Sequence, residues 1–232
     1  MGYDRFKKGL FRFSGHQLLG SLVVLLVAYP FFENLPGGDY IASSLFSVVL
    51  LSSLFAVGGR RRVLFAGIVL MSPALTFRWL PHFTSIDRDS PFPLICMALA
   101  IAFTTWQLLR FVLRAPKVDA EVLCSGISIY ILAGMLWADF YLLAQAVAPG
   151  SFSIASRPAG GQNLTSFDAL YFSLCTLTTA GYGDIAPVSR HARSLAAIEA
   201  LCGVLYLAVL VSRLVSLYVK TGVPADTEDT KL

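Results

Sequence analysis

Long apolar runs separated by short polar breaks dominate the pattern along this chain. Mostly apolar stretches cover residues 14 to 33, 40 to 58, 62 to 80, 92 to 113, 121 to 147 and 192 to 219. Each comes close to the roughly 20 residues that a helix needs to cross a hydrocarbon core. A further apolar stretch, residues 166 to 177, would reach only ~18 Å as a helix. It is too short to cross and must be re-entrant or buried. The pattern predicts an all-α membrane protein: six transmembrane helices, with one short helix between the fifth and the sixth. It divides the chain into a four-helix transmembrane domain at 1–116, a second unit at 117–220 and a short polar tail at 221–232. The first run follows basic residues, as in a secretory signal, but it continues through Phe32 with no small-residue cleavage site. It reads as a retained first helix.

Composition agrees. Hydrophobic residues make up 56% of the 232 positions and charged ones 14%, and the mean hydropathy is +0.69, outside the usual mix of soluble domains. The formal charge of +4 suggests no nucleic-acid partner, because the basic residues form neither one face nor part of a recognition motif. Their placement instead orients the helices, since Lys and Arg accumulate in cytoplasmic loops. With both termini inside, 13 basic residues fall on the inner side (Arg5, Lys7, Lys8, Arg12, Arg60, Arg61, Arg62, Arg110, Arg114, Lys117, Arg213, Lys220 and Lys231) against 5 outside (Arg78, Arg88, Arg157, Arg190 and Arg193). Trp79, Trp137 and Tyr141 lie near proposed outer ends, as an aromatic belt would. The Arg60-Arg61-Arg62 run serves as a topology signal before it serves as a lipid-phosphate site.

Catalytic and metal chemistry find little support. Cys96, Cys124, Cys175 and Cys202 sit in apolar stretches without a CxxC pair and read as buried small side chains. His16, His82 and His191 lie in different segments, without acidic or cysteine neighbours at ligand spacing. No nucleophile and base pair, metal cluster or phosphate loop stands out, so the expectation is a protein that is not an enzyme and holds no cofactor.

The informative segment joins the fifth and sixth spans. Thr165 or Ser166 can cap a helix, and Asp168 in its first turn suits the positive end of the helix dipole. That helix halts near Leu177, before Thr178-Thr179-Ala180-Gly181-Tyr182-Gly183-Asp184. Its C-terminal end should carry partial negative charge and unpaired carbonyls, which suits a desolvated cation. Gly181 and Gly183 can adopt backbone angles closed to other residues, letting successive carbonyls turn to one side. Non-helical backbone at membrane depth must line a cavity or be enclosed by protein.

Here Thr179-Ala180-Gly181-Tyr182-Gly183 resembles the TVGYG filter of the potassium channel superfamily, and the resemblance extends over about residues 121 to 219. It implies that the carbonyls of Thr179, Ala180, Gly181 and Tyr182, with the Thr179 hydroxyl, coordinate K+, the strand ending at Gly183. It implies that Tyr182 points away from the pore and is braced by Tyr171 and Phe172, with Cys175, Thr178, Asp184 and Glu199 as further support. One filter segment per chain implies four chains, a homotetramer unless a related subunit joins, surrounded by membrane lipids in a cell membrane. Two positions depart from the family: Ala180 replaces the usual valine, and Cys175 stands where a glutamate partner for Asp184 can occur.

By the same resemblance, Val204, Leu207 and Val211 line the cavity and its inner constriction, and Gly203 stands where inner helices often carry a hinge. Close helix packing explains that glycine equally well. Glu199, one turn earlier, calls for a tie to the pore helix, through Ser173 or Thr178, ahead of a proton-sensing role. Asp139, near an outer interface, reads as solvated or vestibule-facing. Residues 98 to 107 of the fourth span carry no arginine ladder, with Arg110 and Arg114 only at its inner end. A charge crossing the field gains ~2.3 kcal/mol per 100 mV, so strong voltage sensing needs several such charges. The tail leaves no room for a regulatory domain, and the triplet Asn163-Leu164-Thr165 matches a glycosylation sequon. Two other functions compete: a weakly selective cation channel, in which Ala180 loosens the filter, and a non-conducting transporter or receptor subunit.

Overall fold

Seven helices and one small sheet form among the described residues, in the order α1 (Ser14–Phe32), α2 (Gly38–Val57), α3 (Arg61–Trp79), α4 (Pro91–Arg114), α5 (Ala120–Val147), β1 (Phe152–Ile154), α6 (Ser166–Leu177), β2 (Ile185–Pro187) and α7 (Arg190–Gly222). The computed structural model describes residues 14–32, 35, 37–57, 61–80, 83, 91–117, 119–155, 157 and 163–222. Arg5, Lys7, Lys8, Arg12, Arg60, Arg88, Lys231, His82 and the tail from 223 onward lie outside the described residues. The expectations placed on them are therefore not addressed by the fold.

Local chemistry sets the boundaries. Pro91 opens α4, where its missing N–H costs nothing, and α4 ends two residues before Pro116. Asp119 caps α5 by accepting from the Val122 amide at 3.0 Å. By length and composition, α1, α2, α4, α5 and α7 are each able to cross a membrane. The apolar part of α3, Val63–Trp79, is shorter.

The helices are apolar on more than one face. On α1, Leu18, Leu22 and Leu25 recur at helical spacing and are fully buried, while Val23, Val24, Val27 and Phe31 face outward. Such a helix suits lipid on one side and protein on the other. α1 packs on α2 and α5, α3 on α4, and α4 runs along α5, so the first four helices rest on the fifth. Hydroxyls inside this bundle are satisfied locally: Thr104 donates to the Ala100 carbonyl at 3.0 Å, Ser53 to Leu50 at 2.7 Å.

Three features differ from the sequence expectation. β1 and β2 pair antiparallel, Phe152 opposite Pro187 and Ile154 opposite Ile185, so the chain is not purely helical. The pairing draws together the segments before α6 and after residue 184. Tyr141 is not in an interfacial belt: it is fully buried, because its hydroxyl has a partner inside the protein, described below. Cys202 is exposed on α7 rather than buried.

Candidate functional site

A capping box starts α6: the Thr165 hydroxyl accepts from the Asp168 amide at 3.1 Å, and the Asp168 carboxylate accepts from the Thr165 amide at 3.0 Å. Arg157 adds an ion pair to Asp168 at 2.9 Å. The body of α6 lies against α5 at Gly134, where a Cβ would come within 2.8 Å of Leu174. Ser173 reaches across this contact to the Gly134 carbonyl at 2.7 Å.

The far end of α6 is held from two directions. Tyr130 of α5 donates to the Leu177 carbonyl at 2.9 Å, and Gly203 of α7 lies so close that a Cβ there would sit 2.1 Å from the same oxygen. This contact accounts for Gly203 as a place of close approach, which the sequence left level with a hinge. Beyond Leu177 the chain turns back. The amides of Thr179, Ala180 and Gly181 donate to the carbonyls of Thr176 at 2.9 Å and Cys175 at 2.9 Å and 3.4 Å, and that of Thr178 to Leu174 at 3.0 Å. The carbonyls at the end of α6, expected to be unpaired, are thus engaged by the following segment and by Tyr130.

With its amides turned toward α6, the segment presents its oxygens elsewhere. Thr179, Gly181 and Gly183 have φ of 58°, 58° and 80°, whereas Ala180 and Tyr182 between them do not take positive φ. Alternation of left-handed and ordinary backbone places successive carbonyls on one side and amides on the other. Among the described residues, the carbonyls of Thr179, Ala180, Gly181 and Tyr182 accept no hydrogen bond, and these residues are exposed. The array is a row of dipoles with negative ends outward, suited to a cation stripped of water. Glycine marks two of the three positive-φ positions; Thr179 carried no such signal.

Side chains brace this row. Tyr182 stacks on Tyr171, ring centroids 6.4 Å apart and planes 5° from parallel. The Tyr171 hydroxyl also interacts with the Asp184 carboxylate and the Cys175 thiol. Phe172 does not join them. One residue along the helix, it faces the other way and packs on Tyr141 and Phe152, with centroids at 4.9 Å and 5.6 Å. Asp184 is held through its carbonyl, which accepts from Ala155 at 2.8 Å, while Thr178 turns its hydroxyl back to the Leu174 carbonyl at 2.7 Å.

Glu199 of α7 is fully buried. Its carboxyl contacts the Ser173 hydroxyl at 2.5 Å and accepts a hydrogen bond from Tyr141. It therefore joins α5, α6 and α7 at one point. Tyr141 was missed as part of this knot; a tyrosine inside an apolar span, needing a partner for its hydroxyl, is the signal that could have found it. Tyr206 does the same between α7 and α5, donating to the Gly126 carbonyl at 2.6 Å and stacking on Tyr130. Val204, Leu207 and Val211 are all exposed on α7. Asp139, expected to be solvated or vestibule-facing, lines a cavity between the first four helices, α5 and α6.

Residues 121–220, which contain all of this geometry, match a family model described as "Ion channel". Over 88 residues the chain is 35% identical to "Inward rectifier potassium channel Kirbac3.1" of Paramagnetospirillum magnetotacticum, covering 36% of this chain and 25% of that protein. Residues 121–220 are thus similar to ion channels, potassium channels among them. The chain is also 35% identical over 83 residues to "Two pore potassium channel b" of Oryza sativa subsp. japonica, covering 35% of this chain and 23% of that one. It is 39% identical over 80 residues to "Protein LctB" of Geobacillus stearothermophilus, covering 34% and 59% respectively. The matches thus span between a quarter and three fifths of the relatives' lengths. No solved structure matches the chain. With its apolar helices, the chain is a multi-pass membrane protein that carries a segment of ion-channel type.

Proposed function

We propose that this chain is one subunit of a tetrameric, potassium-selective channel, in which residues 179–183 of four copies form the ion filter around a common axis. The observation that carries the reading is the run of exposed, unengaged carbonyls at 179–182 on backbone whose φ is positive at Thr179, Gly181 and Gly183. One chain supplies one wall of such a filter, and a closed ring of copies completes it. Exposure supports this assembly. Tyr182 is 73% exposed despite its aromatic bulk, and the outward faces of α7 are lined with Leu201, Val204, Leu205, Leu207, Val209 and Val211. Burial of such surfaces by neighbouring copies stabilises the ring.

In this arrangement α6 is re-entrant, α5 and α7 are the outer and inner helices, and Val204, Leu207 and Val211 face the ion path. α3 crosses with the other five helices, making six spans with both termini on the cytoplasmic side of a cell membrane. The four helices of residues 1–116 form a supporting domain, residues 117–220 the pore domain and residues 221–232 a cytoplasmic tail.

Reversal potentials of the purified protein in planar bilayers, measured across opposed potassium and sodium gradients, test the reading. A reversal near the potassium equilibrium potential is expected. Ala180 favours a second reading, a weakly selective cation channel, because it leaves less side-chain volume behind the carbonyl row than the valine common in the family. Equal permeation of both ions would establish that reading. Silence in the presence of intact tetramers would favour a non-conducting membrane protein.

A further inference from the structure

A cavity of about 320 Å³ lies at the end of the first four helices nearest the start of α6, with α5 as its inner wall. It is at the lower end of the range of small-molecule sites, and its walls are mixed, aromatic and aliphatic side chains beside polar and charged ones. Tyr29, Phe46 and Phe77 supply aromatic walls, and three charged groups converge on it: Asp39, Arg78 and Asp139. The Arg78 guanidinium sits over the Phe46 ring at 4.5 Å. Asp139 is the group to be satisfied: its Oδ2 is buried and has no hydrogen-bond partner. Neither the carbonyl row nor the α5–α6–α7 knot uses this residue. A buried carboxylate oxygen without a donor is costly at membrane depth, so the site selects a donor carrying positive charge.

We infer that this cavity is a binding site for a small organic monocation, an ammonium group on an apolar, ring-sized body. The ammonium donates to Asp139, and the body lies among the aromatic walls, where faces of Tyr and Phe attract cations as well as covering apolar surface. An anionic lipid headgroup meets the opposite preference, because its oxygens accept and cannot donate to the Asp139 Oδ2. Thr165, Ser166 and Leu170 share the cavity, so its occupant touches the helix whose far end leads into residues 178–184. The inference stands apart from which ion the protein conducts, and its test reads binding alone.

Isothermal titration of the full chain in nanodiscs of zwitterionic lipid, with phenethylammonium and with the uncharged 2-phenylethanol as probes, decides the matter. Saturable binding of the ammonium at one site per chain is expected, with the alcohol at least tenfold weaker. Asp139→Asn, which keeps shape and removes charge, should weaken the ammonium at least tenfold and bring it level with the alcohol. Ala42→Leu, which narrows the cavity and leaves its charges in place, should weaken both probes together. Absence of ammonium binding to the unmodified chain, equal binding of ammonium and alcohol to it, or an unchanged isotherm with Asp139→Asn would overturn the inference. Should Asp139→Asn fail to give a thermal transition, Ala42→Leu decides: undiminished binding refutes the cavity as the site.

Discussion

At the scale of single residues, the contacts around Glu199 obey a count of protons. Ser173 lies at hydrogen-bond distance from both the Gly134 carbonyl and Glu199, and Tyr141 donates to the same carboxyl. Two hydroxyls bring two protons to three contacts. Glutamine at 199 would bring an amide donor for Ser173, keep an acceptor for Tyr141, and free Ser173 to donate to Gly134. Glu199→Gln is therefore expected to leave the thermal transition and the tetramer nearly unchanged. Glu199→Ala leaves Ser173 its Gly134 acceptor but strands the buried Tyr141 hydroxyl and opens a hole, at about 1–3 kcal/mol for the unsatisfied group alone. Differential scanning fluorimetry of the two variants in detergent checks this; equal loss in both would mean that Glu199 acts through its charge. The sequence suggested Ser173 as one possible partner but not Tyr141, because partners 58 positions apart in the chain cannot be paired by pattern. Likewise, Gly181 and Gly183 announced their backbone angles, whereas the positive φ of Thr179 follows from the amide contacts with Cys175 and Thr176 and not from its own side chain.

At the scale of elements, helix positions were legible because runs of about 20 apolar residues have few alternative explanations. The short sheet was not. Strands of three residues carry too little alternation to be read, and β1 finds its partner only across the whole of α6. Nor did the sequence show how α7 is tied to the first four helices. Arg213 donates from Nε to the Val112 carbonyl at 3.2 Å and from Nη2 to Ala115 at 3.1 Å. A guanidinium placed on the final carbonyls of α4 benefits from the negative end of that helix as well as from the hydrogen bonds. Movement of the inner half of α7 must therefore displace the end of α4 or break this clamp. Arg213→Ala is expected to cost about 1.5–3 kcal/mol, the range for hydrogen bonds from a charged donor. In bilayer recordings it should change open probability while leaving the reversal potential where it was. A shifted reversal potential would place the effect at the filter and contradict the clamp.

At the scale of the whole molecule, the distribution of charge sets what would move the proposed channel. α4 carries Arg110 and Arg114 only near its C-terminal end, with Arg110 against the Trp106 ring at 5.0 Å. Its middle has no cation to be driven across the field. Each charge crossing 100 mV contributes ~2.3 kcal/mol, so open probability is expected to vary weakly with voltage, which step protocols on the purified protein will measure. Steep activation would require charge movement elsewhere in the subunit. The central claim remains the enclosure of potassium by main-chain oxygens of several copies. Cryo-electron microscopy of the purified assembly in potassium addresses it directly. The account predicts four copies of residues 179–183 facing one axis, with ion density between their carbonyls that changes when sodium replaces potassium. Residues 179–183 turned away from any shared axis would contradict it.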